Sequence, residues 1–505
     1  MRNGLIGTLL VTLSLVVLHA APEGFYKDIF MDGGVDLTSR ITLPAANSGN
    51  MSLEYLATES QALQDWLIIG NEDDANGVLL YPDNAPRFRC IYTNGGSATG
   101  HGNSMGNDGR TRVRTFYTHG GSFTGSCAGA YIASLSYLET GVYTPYYHIW
   151  PGRTAQLSIA SVYTGHDIME NSPLLDYFSF GGDHYIANVY HNYGPYAREN
   201  LDFPTGTEIL MRYDHPASGL DGRVSCWAYK SADFTGRVVV IGSHPESIES
   251  GERLQLMIAI LRYAMDGTGG PELKADLVNG IPRIMDKGTD DMDPDNARVG
   301  DRQLHHFRVE IPPGTGHLTL DLEGIGGFDL GLYAQADSFA FGSQAPYSSV
   351  QPGAQQQLVV PEPEAGEWYI GVECLSTVET TRRSWGYEYT AGTEVLNGVA
   401  YTITANWDPV RVVDQPGPVS PMLLKNFPNP FNDQTRIEFK VQKPGPIRLE
   451  IFDVAGHRVQ SLLNEELDAG RHNVSWQPRS LNAGVYLARL TYAEGAVTLR
   501  LIYLK

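Results

Sequence analysis

The chain has 505 residues, with 36 basic side chains against 57 acidic ones, a net charge of −21 and a pI of about 5.0. So acidic a protein lacks the electrostatic footprint that a phosphate backbone requires, which excludes a nucleic-acid binder. Apolar residues at 42% and charged ones at 18% fit folded rather than disordered material, and at roughly 100–200 residues per domain the length predicts about three domains.

Residues 1–20 read as a secretory signal peptide. Met1-Arg2-Asn3 supplies one positive charge, Leu5 to Leu18 an apolar run, and Ala20-Ala21 the small residues of a cleavage site. The run is shorter than the ~20 residues of a spanning helix, and Thr8, Thr12 and Ser14 interrupt it. No later segment is apolar enough to span. The expectation is an exported protein with no integral membrane segment after cleavage.

Residues 25–268 mix continuous apolar runs (65–70, 87–92 and 237–242) with a helix-period stretch from Glu252 to Met265. Runs of that kind, buried on both faces, predict an α/β layer fold with a largely parallel sheet. The Gly-rich stretch from Gly95 to Gly109 reads as a mobile loop. Cys90 and Cys226 lie in apolar strand-like runs, where buried thiols and a Cys90–Cys226 bridge are both open.

Residues 269–303 read as an acidic linker. Its Asp291-Met292-Asp293-Pro294-Asp295 run invites a calcium reading, but Asn296 and Arg302 stand where a calcium loop needs Gly and Glu, so a solvated linker is favoured. From 304 to 407 the pattern alternates as in an all-β unit. A Pro-rich linker at 414–418 leads to a second all-β unit at 421–505, in which 11 basic side chains outnumber 8 acidic ones, so the acidity belongs to the preceding modules.

The densest chemical signal is Gly125-Ser126-Cys127-Ala128-Gly129, the spacing of a nucleophile elbow. Its glycines relieve crowding around a sharp strand-to-helix turn that exposes the nucleophile. A helix from Ala128 to about Leu138 would direct backbone N–H groups at the sulfur and at an oxyanion. A buried cysteine in a Gly-rich turn is the plainer alternative. Downstream, the buried run Val238–Ile241 ends in Gly242-Ser243-His244-Pro245-Glu246, which supplies a base and its carboxylate orienter. His101, His119, His148, His166, His184 and His191 are scattered without metal-ligand spacing, and no phosphate-binding loop occurs. The reading assigns no cofactor and no metal.

On these motifs, residues 25–268 resemble the class I glutamine amidotransferase-like superfamily, and GlySerCysAlaGlyAlaTyr is closest to its biotin-protein-ligase N-terminal-type branch. The resemblance implies a flavodoxin-like α/β domain with Cys127 as nucleophile and His244 and Glu246 completing a triad. It also implies an oxyanion hole from Gly96 and Ala128, in which Asn94-Gly95-Gly96 departs from the usual Pro-Gly-Gly. No acceptor domain accompanies it. Residues 304–407, with Phe328-Asp329-Leu330-Gly331 and Gly366-Glu367-Trp368-Tyr369, resemble the bacterial pre-peptidase C-terminal domain, a β-sandwich of secreted enzymes. Residues 421–505, with Asn426-Phe427-Pro428-Asn429-Pro430 and Gly484-Val485-Tyr486, look like the type IX secretion system C-terminal sorting domain. That resemblance implies an Ig-like β-sandwich, the type IX machinery as partner, and a secreted or cell-surface location outside the outer membrane.

The expected activity is that of an exported cysteine-dependent hydrolase of amide or peptide-like bonds. The rival expectation is a non-catalytic surface binding or adhesion protein on the same fold.

Overall fold

The computed structural model describes residues 23–38, 42–57, 77–199, 203–384, 386–409, 422–441, 443–454, 456–479, 481–493 and 495–505. The signal peptide at 1–20, the apolar run 65–70 and the linker 414–418 lie outside the described residues. The chain divides into two compact units, Met1–Pro409 and Val410–Lys505.

In chain order the first unit opens with β1 (Lys27–Gly33), α1 (Pro44–Ser48), β2 (Leu53–Ala57), β3 (Phe88–Thr93), α2 (Ala98–Ser104), α3 (Gly106–Thr118), β4 (Ser122–Ser126) and α4 (Ala128–Ala133). Then come β5 (Thr154–Ala155), β6 (Val162–Ile168), β7 (Tyr185–His191), β8 (Tyr196–Ala197), β9 (Glu208–Asp214), β10 (Val224–Tyr229), β11 (Val238–Ile241) and α5 (Gly251–Met265). Strands β2-β1-β3-β4-β11 lie side by side and parallel. Strands β10, β9, β6 and β7 continue the same sheet antiparallel.

Parallel strands buried on both faces need apolar side chains on both. Val239 and Ile241 of β11 join Cys90, Tyr92 and the apolar face of α5 in one core. Val238 and Val240 point the other way, with Phe123 and with Val113, Phe116 and Tyr117 of α3. All four cysteines are buried free thiols.

The first unit continues with β12 (Leu273–Asp276), β13 (Arg283–Met285), β14 (Leu304–Ile311), β15 (Thr315–Gly324), β16 (Leu330–Ala336), β17 (Tyr347–Ser349), β18 (Gln355–Pro361), β19 (Gly366–Cys374), β20 (Glu379–Arg383), β21 (Gly386–Ala391) and β22 (Tyr401–Pro409). All of these but β20 and β21 build two further sheets, β12-β14-β19-β16-β17 and β13-β22-β15-β18. The residues read as an acidic linker thus supply strands to both. The β20–β21 hairpin adds to the edge of the first sheet through the Leu56–Gly386 pair, giving 13 strands among the described residues. Arg87 and Asp301 form an ion pair that is buried on both sides, tying β3 to the sandwich.

These facts overturn the expected flavodoxin-like α/β domain. Strands hold 44% of the structure and helices 15%, and the parallel strands are five members of a large mixed sheet. The apolar runs marked only its fully buried interior. The half-exposed antiparallel strands β6, β7 and β9 left a weaker pattern, and the hairpin comes from far along the chain. The expected mobile loop is also corrected: most of Gly95–Gly109 is helical, in α2 and the start of α3, with Ser97 capping α2 by accepting from the Gly100 N–H at 3.1 Å.

The second unit holds β23 (Met422–Phe427), β24 (Thr435–Val441), β25 (Gly445–Asp453), β26 (Arg458–Leu467), β27 (Gly470–Trp476), β28 (Gly484–Tyr492) and β29 (Gly495–Tyr503). Two antiparallel sheets, β23-β24-β27 and β26-β25-β28-β29, enclose a core of its own around Phe431, Ile437, Leu449, Trp476 and Leu490.

Candidate active site

Cys127 stands between the end of β4 and the start of α4, with φ 47° and ψ −100°. Non-glycine residues rarely adopt a positive φ, and such a backbone costs about 1–3 kcal/mol. The neighbours over-determine it. The Cys127 N–H donates to the Ile241 carbonyl at 3.0 Å, and its own carbonyl accepts from Ala130 and Tyr131, both at 3.1 Å.

Gly125 and Gly129 flank the turn because β3 passes too close for a side chain. A Cβ on Gly129 would meet the Thr93 carbonyl oxygen at 2.1 Å, and one on Gly125 would meet Gly129 Cα at 2.7 Å. The helix that follows is shorter than expected, ending at Ala133 rather than about Leu138.

His244 follows β11 and is fixed by its backbone N–H, which donates to the Tyr190 carbonyl at 2.8 Å. Its Nδ1 lies 2.9 Å from Glu246 Oε1, and both side chains are largely buried. Burial pulls the imidazole pKa down, but hydrogen bonding and negative charge from Cys127 and Glu246 outweigh it and push the value up to about 10. The Cys127 Sγ also points at the Asn192 carbonyl oxygen, 3.7 Å away. Cys127, His244 and Glu246 therefore line one cleft, together with Gly96 and Asn94.

Both oxyanion candidates keep their N–H groups outside the backbone ladder. Ala128 is the first residue of α4, so its N–H has no acceptor within the helix. Gly96 pairs with Leu37 in a bridge whose bonds use the N–H groups of Thr38 and Ser97, not its own. Gly95 has a role the sequence reading missed: a Cβ there would meet His244 Cε1 at 2.3 Å, so the glycine makes room for the imidazole.

Behind His244 lies a buried polar network, also missed. His191 Nδ1 is 3.3 Å from Ser243 Oγ, which is 3.4 Å from Thr164 Oγ1. His166 touches Thr164 Oγ1 at 3.1 Å and Ser225 Oγ at 2.8 Å. Burial, with charge from His191, lowers His166 to about 3, and burial, with charge from His244 and His215, lowers His191 to about 4, so both stay neutral. The Tyr190-His191-Asn192-Tyr193 run was the available signal. His101 is buried elsewhere, 2.8 Å from Asp32, and ties α2 to β1. Among the described residues no group of three or more His, Cys, Asp or Glu is placed to hold a metal.

Residues 425–504 match the family model of a secretion system C-terminal sorting domain. This type IX sorting domain indicates a secreted or cell-surface protein of a bacterium with that system, and implies interaction with its secretion machinery. No helix among the described residues is long and apolar enough to cross a membrane. No curated protein matches the chain.

Among solved structures, a GH2 beta-galacturonidase from Eisenbergiella tayi bound to galacturonate is 11% identical, over 39% of this chain and 35% of that one, at a TM-score of 0.13. The beta-glucuronidase of Faecalibacterium prausnitzii is 11% identical, over 40% and 36%, at 0.15. Dimeric latent PorU from Porphyromonas gingivalis is 13% identical, over 63% and 26%, at 0.16. The chain thus spans about a third of the first of these proteins. Likenesses this faint carry no argument about fold or chemistry.

Proposed function

We propose that the first unit is a cysteine-dependent hydrolase of amide or peptide-like bonds, exported by the type IX route. The observation that carries this is the strained Cys127 backbone in a cleft shared with the His244–Glu246 pair. A module that only binds has no use for a thiol held at such a cost, which weighs against the adhesion reading. The likeness to the amidotransferase-like superfamily supports the proposal only at the elbow and the His-Pro-Glu turn, and does not extend to its fold. The likeness of 304–407 to the pre-peptidase domain agrees with a secreted enzyme.

In the proposed reaction a Cys127 thiolate attacks the carbonyl carbon, forming a C–S bond. The N–H groups of Gly96 and Ala128 receive the oxyanion. His244, held protonated by its neighbours and oriented by Glu246, gives its proton to the amide nitrogen as the C–N bond breaks and the amine leaves. Water then adds to the thioester, loses its proton to His244, and the C–S bond breaks to release the acid. The test is hydrolysis of amide substrates by the wild type and by Cys127→Ala, with trapping of the thioester by mass spectrometry. Loss of turnover by about 10³-fold or more in the variant is expected. Equal turnover would end the proposal.

A further inference from the structure

The cleft around Cys127 is roomy, with a volume of about 1120 Å³. Pockets of about 300–1,000 Å³ already hold a whole drug-sized ligand, so a single amino-acid amide would leave most of this one empty. Its walls are weakly charged: among the described lining residues the charged side chains besides His244 are Glu246, already paired with it, and Arg253, which donates to the Asn188 carbonyl at 2.9 Å.

Tyrosines dominate the rest. Tyr137 and Tyr146 cluster with Tyr143 at centroid distances of 4.8 and 4.9 Å, and the Tyr143 hydroxyl reaches Thr99 Oγ1 at 3.3 Å, on the helix that follows β3. Tyr163 of β6 and Tyr190 of β7 face each other at 5.8 Å. In the sheet β4, which ends one residue before Cys127, lies between β3 and the β11-to-β7 side. The two tyrosine groups come from separate parts of the chain, the segment after α4 and the strands β6 and β7, and both line the cleft. Tyr137 is 41% exposed and Tyr163 62%, so these two rings are not consumed in packing the core, whereas Tyr146 is buried in it and backs Tyr137.

Exposed aromatic rings beside a carbonyl-attacking thiol gain contact energy from apolar and aromatic side chains, and the near-neutral wall gives no purchase to a polyelectrolyte. We propose that the site accepts an extended polypeptide, held by apolar or aromatic side chains at two separate places in the cleft, the Tyr163–Tyr190 pair and Tyr137. The first unit is then an endopeptidase rather than an amidase for free amino-acid amides. This rests on the thiol-hydrolase reading above.

The test uses the full chain and decapeptides blocked at both ends, with Phe or Leu on either side of a central bond, read by mass spectrometry. Internal cleavage is expected. Tyr163→Ala and Tyr137→Ala should each raise KM about 3–10-fold with kcat nearly unchanged, and Tyr163→Phe should restore it. Alkylation of Cys127 by iodoacetamide, too small to span to the rings, should keep its rate in all three. Cleavage confined to free amino-acid amides or to glycan-linked amides would overturn the proposal, as would a peptide KM unmoved by both Ala variants. A wild type that cleaves nothing, and whose Cys127 alkylates no faster than buried Cys90, would instead overturn the thiol-hydrolase reading itself.

Discussion

Residues 23–409 and 422–505 are both built mainly of strands, but they treat buried polar groups differently. The first unit buries His101, His166, His191, His305 and His306, and holds the Arg87–Asp301 pair out of water. Every buried side-chain polar atom without a hydrogen-bond partner, among the described residues, lies there, including Glu246 Oε2 and His191 Nε2. The second unit buries neither His457 nor His472 and closes an apolar core around Trp476. An unsatisfied buried group costs about 1–3 kcal/mol, so a fold needed only as an address has no reason to keep any. The first unit keeps several, and two of them belong to the cleft or the network behind it.

The largest break in that contrast comes from Cys127→Gly. Hydrolysis should fall at least about 10³-fold, while the urea midpoint of the first unit stays level or rises, because glycine takes φ 47° without the clash of a Cβ. A fall of more than about 1 kcal/mol would show that the turn is not strained in the sense argued. Gly95→Ala comes next. Its new methyl would overlap His244 Cε1, so the base must move, and kcat/KM should drop about 10²-fold with little change in stability. Normal activity in the Gly95→Ala variant would place the working base elsewhere.

The same contrast explains what the sequence disclosed. The sorting unit was legible because its linear signature, from Asn426-Phe427-Pro428 to Gly484-Val485-Tyr486, and its alternating strands such as Thr435–Val441 are local. In the first unit the elbow and the His-Pro-Glu turn were equally local, and the structure brings Cys127, His244 and Glu246 into one cleft. What stayed hidden was long-range. Nothing near Gly95 in sequence tells that its missing side chain faces His244, about 150 residues on. Nor does the apolar run Val238–Ile241 reveal that its neighbour β10 runs antiparallel, which is where the flavodoxin-like expectation failed. Glycines misled as well: Gly100, Gly102 and Gly106 suggested a loop, but the N-cap Ser97, the His101–Asp32 pair and close packing (a Cβ on Gly102 would meet the Pro145 carbonyl at 2.0 Å) hold them in helices.

Acid should separate the two units more gently. Burial holds His166 near 3 and His191, His305 and His306 near 4. Above pH about 6.5 these groups are neutral both folded and unfolded, so they contribute nothing pH-dependent. As pH falls below that value the unfolded chain takes up protons that the folded unit refuses, and stability is lost until the folded pKa values are reached. Each histidine can remove up to about 1.4 kcal/mol per pH unit. Hydrogen exchange at pH 7.5 and 5, read peptide by peptide, should show residues 23–409 losing protection and 422–505 keeping theirs. Equal losses would mean that these histidines are not held neutral.

The smallest expected effect on catalysis comes from removing the sorting unit altogether. Every described residue lining the cleft belongs to the first unit, and each unit closes its own core. A chain lacking 410–505 should therefore hydrolyse its substrate with kcat/KM within about twofold of the full chain, since no lining contact is lost. Its delivery to the surface should fail completely, because the sorting address is gone. Cell fractionation and an activity assay on the same truncated protein separate the two effects. Tenfold weaker hydrolysis would mean that the chemistry is not confined to the first unit. Normal delivery to the surface would mean that the address is not confined to the second.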